Sequence, residues 1–181
     1  MLFKVVKATD NPFLRVVTEY LQGLNFPKKI TGKKSNNYIS RQNISSEKNK
    51  IVEAFVLGKV RVFHQRENMD SSLTKKYEDF FELLAHFVYY QFPDFEWTSI
   101  QINKNVTCDW HLDKGNEGES LCLAVGDFDG GGIELMGEHG PMCIDNRNKF
   151  LQYDGGNIKH RSIPHKNGDR YAIIFYTCKQ R

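Results

Sequence analysis

From Trp97 onward the chain is a series of short apolar or alternating runs, each closed by a turn rich in Gly, Asn and Asp. The runs are WTSIQIN, SLCLAV, GIELM, PMCID, KFLQYD and RYAIIFYTC, and the turns between them are KGNEG, GDFDGG, DNRN, DGGN and KNGD. Successive side chains of a strand face opposite ways, so many short strands at this spacing build a sandwich or barrel and not a helical bundle. No other feature restricts the fold as much.

The first half is mixed. Residues 2–7 (LFKVVK) suit a short strand, and a helix is expected from Asp10 or Asn11, with Phe13, Val17, Tyr20, Leu21 and Leu24 on one face and Gly23 near its end. Pro27 to Lys50 is polar and has no period, so it is read as a long loop, of a length that is usually functional or disordered. Residues 51–63 return to strand composition. The strongest helical pattern is 73–91, where Leu73, Tyr77, Phe80, Phe81, Leu84, Phe87 and Val88 recur at steps of three and four, behind Ser71 and Ser72 as caps and before Pro93. Its aromatic stripe is expected to pack on the back of a sheet. The expected fold is α+β, with helices on one side of a jelly roll. A chain of 181 residues fits one domain. Residues 1–96 form an N-terminal helical and β extension that carries a basic loop at 28–50, and residues 97–181 form the core.

Composition excludes some function classes. With 40% hydrophobic and 26% charged residues the chain is globular. It has no apolar run long enough to span a membrane and no secretory segment, so an intracellular setting, cytoplasmic or nuclear, is expected. Cys108, Cys122, Cys143 and Cys178 show no C-x-x-C pairing and are read as reduced, buried thiols. The net charge of +3 hides an asymmetry: residues 28–66 carry ten basic side chains against two acidic ones. Such a segment is either a solvated loop or a footprint for phosphate.

Three features carry chemistry. In His111-Leu112-Asp113, an extended backbone would turn the imidazole and the carboxylate to the same side. His160 follows 47 residues after Asp113, room enough for several strands to bring the chain back to that point. Two imidazoles and one carboxylate on one face are the ligand set typical of non-haem iron(II) oxygenases. Arg170, ten residues after His160, opens the last strand and can pair bidentately with a carboxylate. An H-x-D alone is common by chance, and a lone His or Arg on a strand is more often structural; the order and spacing together are far more specific.

On these residues the chain resembles the 2-oxoglutarate/Fe(II) dioxygenase superfamily, whose core is a double-stranded β-helix (jelly roll). IQINKNVTCDWHLDKGNEGES, GDFDGGGIEL and YDGGNIKHRSIPHKNGDRYAIIFY resemble the branch that holds the TET and JBP nucleic-acid oxygenases and related viral and protist proteins. The resemblance implies that His111, Asp113 and His160 hold iron(II), that Arg170 holds the far (C5) carboxylate of 2-oxoglutarate, and that O₂ is the oxidant. It also implies co-substrate contacts for Asn103 and Ser120; Lys114, Asn116 and Ser120, in the pattern H-x-D-x-x-N-x-x-x-S, either close the site or serve turn and strand. His165 rivals His160 as third ligand, but the ten-residue step to Arg170 favours His160. Trp110 either stacks a substrate or packs in the core. His64, His86 and His139 have no partner pattern and are read as structural or surface residues.

The resemblance implies a hydroxylase, and its nearest branch, with the basic 28–66 segment, points to the methyl group of a 5-methylpyrimidine in nucleic acid as the oxidised site. A protein hydroxylase acting on prolyl or another side chain is the alternative, because GDFDGGGIEL and NGDRYAIIFY also resemble prolyl hydroxylases. A non-catalytic metal-binding β-module is the third reading.

Overall fold

The structure is a computed structural model, described over residues 2–30, 51–62 and 65–180, with only the backbone described at 29 and 30. Its strands are β1 (Phe3–Lys7), β2 (Lys28–Ile30), β3 (Ile51–Val60), β4 (Met69–Asp70), β5 (Ser99–Lys104), β6 (Asn116–Val125), β7 (Asp129–Gly130), β8 (Ile133–Gly137), β9 (Gly140–Ile144), β10 (Lys149–Tyr153), β11 (His160–Ser162), β12 (His165–Lys166) and β13 (Tyr171–Cys178). Its helices are α1 (Leu14–Gly23), α2 (Ser72–Lys76) and α3 (Glu78–Gln91). One large antiparallel sheet runs β1-β10-β6-β13-β5-β3-β2, with β4 paired to β3. A three-stranded sheet, β11-β8-β9, and a two-stranded one, β12-β7, account for the other strands of the described residues. The fold is therefore mostly antiparallel sheet with few helices.

Strand alternation gives the large sheet two unlike faces. Ile100, Ile102, Leu121, Leu123, Val125, Ile173 and Phe175 face the helices and are fully buried with Leu21, Phe80, Leu84 and Phe87. Aromatic rings weld this layer: Tyr20 stacks on Phe80 at 4.1 Å between ring centroids, and Phe87 meets Phe150 at 5.1 Å. Each such side chain contributes about 1.5–3 kcal/mol by leaving water, so this layer dominates stability. On the other face Cys122, Leu151 and Tyr153 pack with Ile133, Leu135 and Ile144 of the small sheet.

The elements differ from the sequence reading in four places. Lys28–Ile30, expected as loop, is strand β2 on the edge of β3, where solvated lysines are tolerated; residues 31–50 lie outside the described residues. Helix 73–91 is two helices. It breaks at Tyr77 (φ −118°, ψ 40°), whose ring packs on Phe55 of β3 at 5.3 Å between centroids. The first helix begins at Leu14, because Asn11 is turned inward: its Nδ2 donates to Phe87 O (2.8 Å) and Gln91 Oε1 (3.0 Å). Finally, β7, β11 and β12 are too short to show a sequence period. Among the described residues no helix is long and apolar enough to cross a membrane.

Candidate metal and carboxylate site

His111 and His160 lie directly opposite each other in an antiparallel bridge: His111 N donates to His160 O (2.9 Å) and His160 N donates to His111 O (3.0 Å). Residues paired in this way project to one side, and their ring centroids are 4.3 Å apart. Asp113 N donates to Gly155 O (2.8 Å), which holds the carboxylate beside both rings. Nδ1 of His111 lies 2.6 Å from Asp109 O, and Nδ1 of His160 lies 2.8 Å from Ile158 O. A carbonyl only accepts, so both Nδ1 atoms carry a proton, which leaves each Nε2 either to offer its lone pair to a metal or, when the ring is protonated there too, to donate to Asp113. Those Nε2 atoms lie 3.5 and 3.4 Å from the two oxygens of Asp113.

His111, Asp113 and His160 each offer a donor atom within 4.8 Å of the others, and they are the one such metal-ligating group found among the described residues. An ion with bonds of about 2.0–2.2 Å needs donors at that order of separation, so the residues fit a divalent metal. Burial alone would raise the Asp113 carboxyl, but hydrogen bonding and charge from His111 and His160 outweigh it and hold it well below the ordinary carboxylate range. Gly155 is a close approach: a Cβ there would stand 3.2 Å from Asp113 Oδ2 and 3.4 Å from His160 Cε1.

Arg170 immediately precedes β13 and is 3% exposed. Its backbone is clamped by Asn105, which accepts from Arg170 N through Oδ1 (2.8 Å) and donates its own N–H to Arg170 O (2.8 Å). Asn105 does this with φ +54°, a conformation Asn tolerates better than most residues. The Arg170 Nε and Nη2 atoms are buried and have no hydrogen-bond partner among the described residues. A buried unpaired guanidinium is costly, and a carboxylate is the group that fits it. Gly131 (φ +75°) makes room, since a Cβ there would lie 3.4 Å from Arg170 Cδ and Nε and 3.1 Å from Phe128. Burial pushes the neighbouring Cys122 thiol up to about 11 although Arg170 draws it down, so Cys122 stays protonated.

The remaining candidates divide. Asn103 is buried on the same face and accepts from Gln101 Nε2 (2.9 Å), while Ser120, also buried, lies 3.4 Å from Asn116 Nδ2. Lys114 is exposed. His165 stands apart from the metal-ligating group; its Nε2 is 3.0 Å from Asn105 Oδ1 and its ring meets Phe128 edge-on. Trp110 neither faces the cluster nor sits in the core. It is half-buried, and Arg161, the residue after His160 on β11, lies over its ring at 4.9 Å. His86 and His139 are exposed, and His64 lies outside the described residues. Sequence reasoning missed Gly155, Asn105, Tyr153 and Cys122; only the DGG turn and the NKN stretch hinted at the first two.

No protein family and no curated protein matches the chain. Solved structures do match. An oxidoreductase of the 2OG-Fe(II) oxygenase family from Burkholderia pseudomallei superposes with a TM-score of 0.67 at 14% identity, covering 99% of this chain and 88% of its own. NgTET1 in complex with 5mC DNA gives 0.62 at 13%, covering 98% and 72%. A prolyl hydroxylase in complex with a hypoxia inducible factor peptide fragment, from Trichoplax adhaerens, gives 0.52 at 10%, covering 97% and 83%. At these identities the likeness is one of architecture: this chain has the fold of the 2OG-Fe(II) oxygenases, with NgTET1 among its structural relatives.

Proposed function

We propose that the chain is an Fe(II)- and 2-oxoglutarate-dependent dioxygenase whose metal ligands are His111, Asp113 and His160. In this reading residues 97–181 form a double-stranded β-helix core and residues 1–96 support it within a single domain. One observation carries the proposal: Cys122, on the inner side of the large sheet, lies within electrostatic reach both of Asp113 in the two-His, one-Asp cluster and of Arg170, a buried guanidinium whose Nε and Nη2 lack a partner among the described residues. A non-catalytic metal site would have no use for Arg170 in that state.

Each residue has a defined task. The carbonyls of Asp109 and Ile158 fix both imidazoles in the tautomer that offers Nε2 to a metal. Asp113 adds the negative charge that a divalent cation needs. Arg170 pairs with the far carboxylate of the oxo acid and so orients it toward the metal; Asn103 and Ser120 contribute polar contacts on the same face. Bound iron and co-substrate supply the redox chemistry: O₂ and 2-oxoglutarate are consumed, succinate and CO₂ are released, and an unactivated C–H becomes C–OH. Tyr153, whose ring meets that of His160 edge-on, and Leu135, paired with His160 across β8 and β11, shield one side of the cluster.

The substrate we favour is a nucleic acid carrying a 5-methylpyrimidine. The structural relative in complex with 5mC DNA and the basic 28–66 segment support it. Lys28, Arg61 and Arg66 of that segment are exposed. A duplex base would be flipped out of the stack to reach the metal. A peptidyl side chain is the second reading, favoured by the relative with a bound peptide fragment. Turnover on methylated duplex DNA against a proline-rich peptide at matched salt separates the two. Oxidation of DNA alone supports the first, and peptide turnover with none on DNA or RNA transfers the assignment to the second.

A further inference from the structure

Three buried side-chain nitrogen or oxygen atoms among the described residues lack a hydrogen-bond partner: Arg170 Nε, Arg170 Nη2 and Asn146 Oδ1. The mechanism above uses the first two. Asn146 is fully buried in the crossover between β9 and β10, where its carbonyl accepts from Ala124 N (3.0 Å) and its Nδ2 lies 3.4 Å from Cys122 Sγ. It therefore flanks β6 on one side, while β13, with Arg170 at its start, flanks β6 on the other. Tyr171, Leu121, Leu123 and Val125 face the helices, so Arg170, Cys122 and Ala124 face inward by alternation. At the level between Asn146 and Arg170 the inner face carries only Ala124 and its partner Ala172. Small side chains there leave space for a long guanidinium to reach across β6 toward Asn146.

An unpaired buried carbonyl and an unpaired buried guanidinium, both neighbours of Cys122, call for a ligand that answers both. Arg170 only donates, so its ligand is an acceptor, and a carboxylate would face the Asn146 carbonyl oxygen with like polarity. A half-turn of the amide removes the conflict. We propose that Asn146 is a second donor to the far carboxylate of the oxo acid, its Nδ2 joining Arg170 while its Oδ1 accepts the Cys122 S–H. Cys122 suits the part because burial keeps it a thiol, with a proton to donate. The inference rests on the co-substrate reading above and adds to it the residues that grip the distal end.

The test is calorimetric binding of 2-oxoglutarate without oxygen, with Mn²⁺ in place of iron so that nothing turns over. Asn146→Ala loses one hydrogen bond to a charged group and is expected to weaken 2-oxoglutarate binding about 10-fold or more. Asn146→Asp sets a carboxylate against the ligand's own and offers Arg170 a competing partner, so 2-oxoglutarate binding is expected to fall by at least about 100-fold. Mn²⁺ affinity measured alone should not move in either. If the Asn146 variants fail to fold, Cys122→Ser, which keeps a donor, should bind 2-oxoglutarate like the parent, and Cys122→Ala should bind it several-fold more weakly. Parent-like 2-oxoglutarate affinity in folded Asn146→Ala and Asn146→Asp, or equal affinities in the two Cys122 variants, would overturn the assignment and leave the dioxygenase reading standing. A parent protein that binds Mn²⁺ but not 2-oxoglutarate would overturn both.

Discussion

Along β5, Ile100 and Ile102 turn toward the helices while Ser99, Gln101 and Asn103 turn the other way, and every one of them is buried. The same strands thus build two interiors. Apart from Asn11, the helix-side interior is apolar and is held by area and ring packing, which tolerates small displacements. The inner side holds His160, Asn103, Ser120, Asn146 and Arg170. There every polar group needs a specific partner, and Arg170 Nε and Nη2 and Asn146 Oδ1 lack theirs among the described residues. The contrast divides the work: one face supplies the stability and the other is arranged for a ligand that the protein alone does not replace.

Substitutions on the two faces should therefore separate stability from function. The largest effect is expected for Asp113→Ala, which removes the anionic ligand and should abolish turnover while the melting temperature changes little. A large melting loss instead would show that the inner face stabilises the fold. Phe87→Ala on the helix side should cost about 3–5 kcal/mol in denaturant unfolding, with unchanged metal affinity in the folded fraction. Arg170→Ala should raise the 2-oxoglutarate KM roughly 10- to 100-fold, because a charged hydrogen-bonded pair is lost, and Arg170→Lys should be only partly tolerated. Neutralising Lys28, Lys29, Lys33 and Lys34 together should weaken nucleic-acid binding and flatten its salt dependence without changing which base is oxidised.

The smallest effect is expected outside both faces. The Asn105 Nδ2 hydrogen bond (2.6 Å), with Lys104 behind it, holds the Asp169 carboxyl below its ordinary range against some burial. That contribution is present above the unfolded carboxylate pKa of about 3.9 and lost as pH falls through the lower folded value. The group is half exposed, so Asp169→Asn should cost no more than about 0.5 kcal/mol at neutral pH, measured by urea unfolding.

How legible these features were depends on the distance over which each is specified. Strand alternation is local, so the runs from WTSIQIN to RYAIIFYTC correspond to strands of the structure, and the stripe from Phe80 to Val88 lies in the core. The convergence of His111, Asp113 and His160 could be read because an H-x-D in extended backbone and a ten-residue step to Arg170 are local patterns too. The break at Tyr77 could not, because it follows from packing on Phe55, a residue of another element. Asn105 clamps a residue 65 positions away, Gly155 is needed because Asp113 and His160 crowd it, and Asn146 matters through Cys122. No periodicity marks such contacts.

The most direct test of the central claim is succinate formation from 2-oxoglutarate by the metal-reconstituted protein, run with and without iron(II) beside its Asp113→Ala variant. The account expects succinate that depends on both iron and oxygen, rises with the true substrate, and is absent from the variant although the variant is folded. Equal background in parent and variant, across DNA, RNA and peptide substrates and at saturating iron, would contradict it.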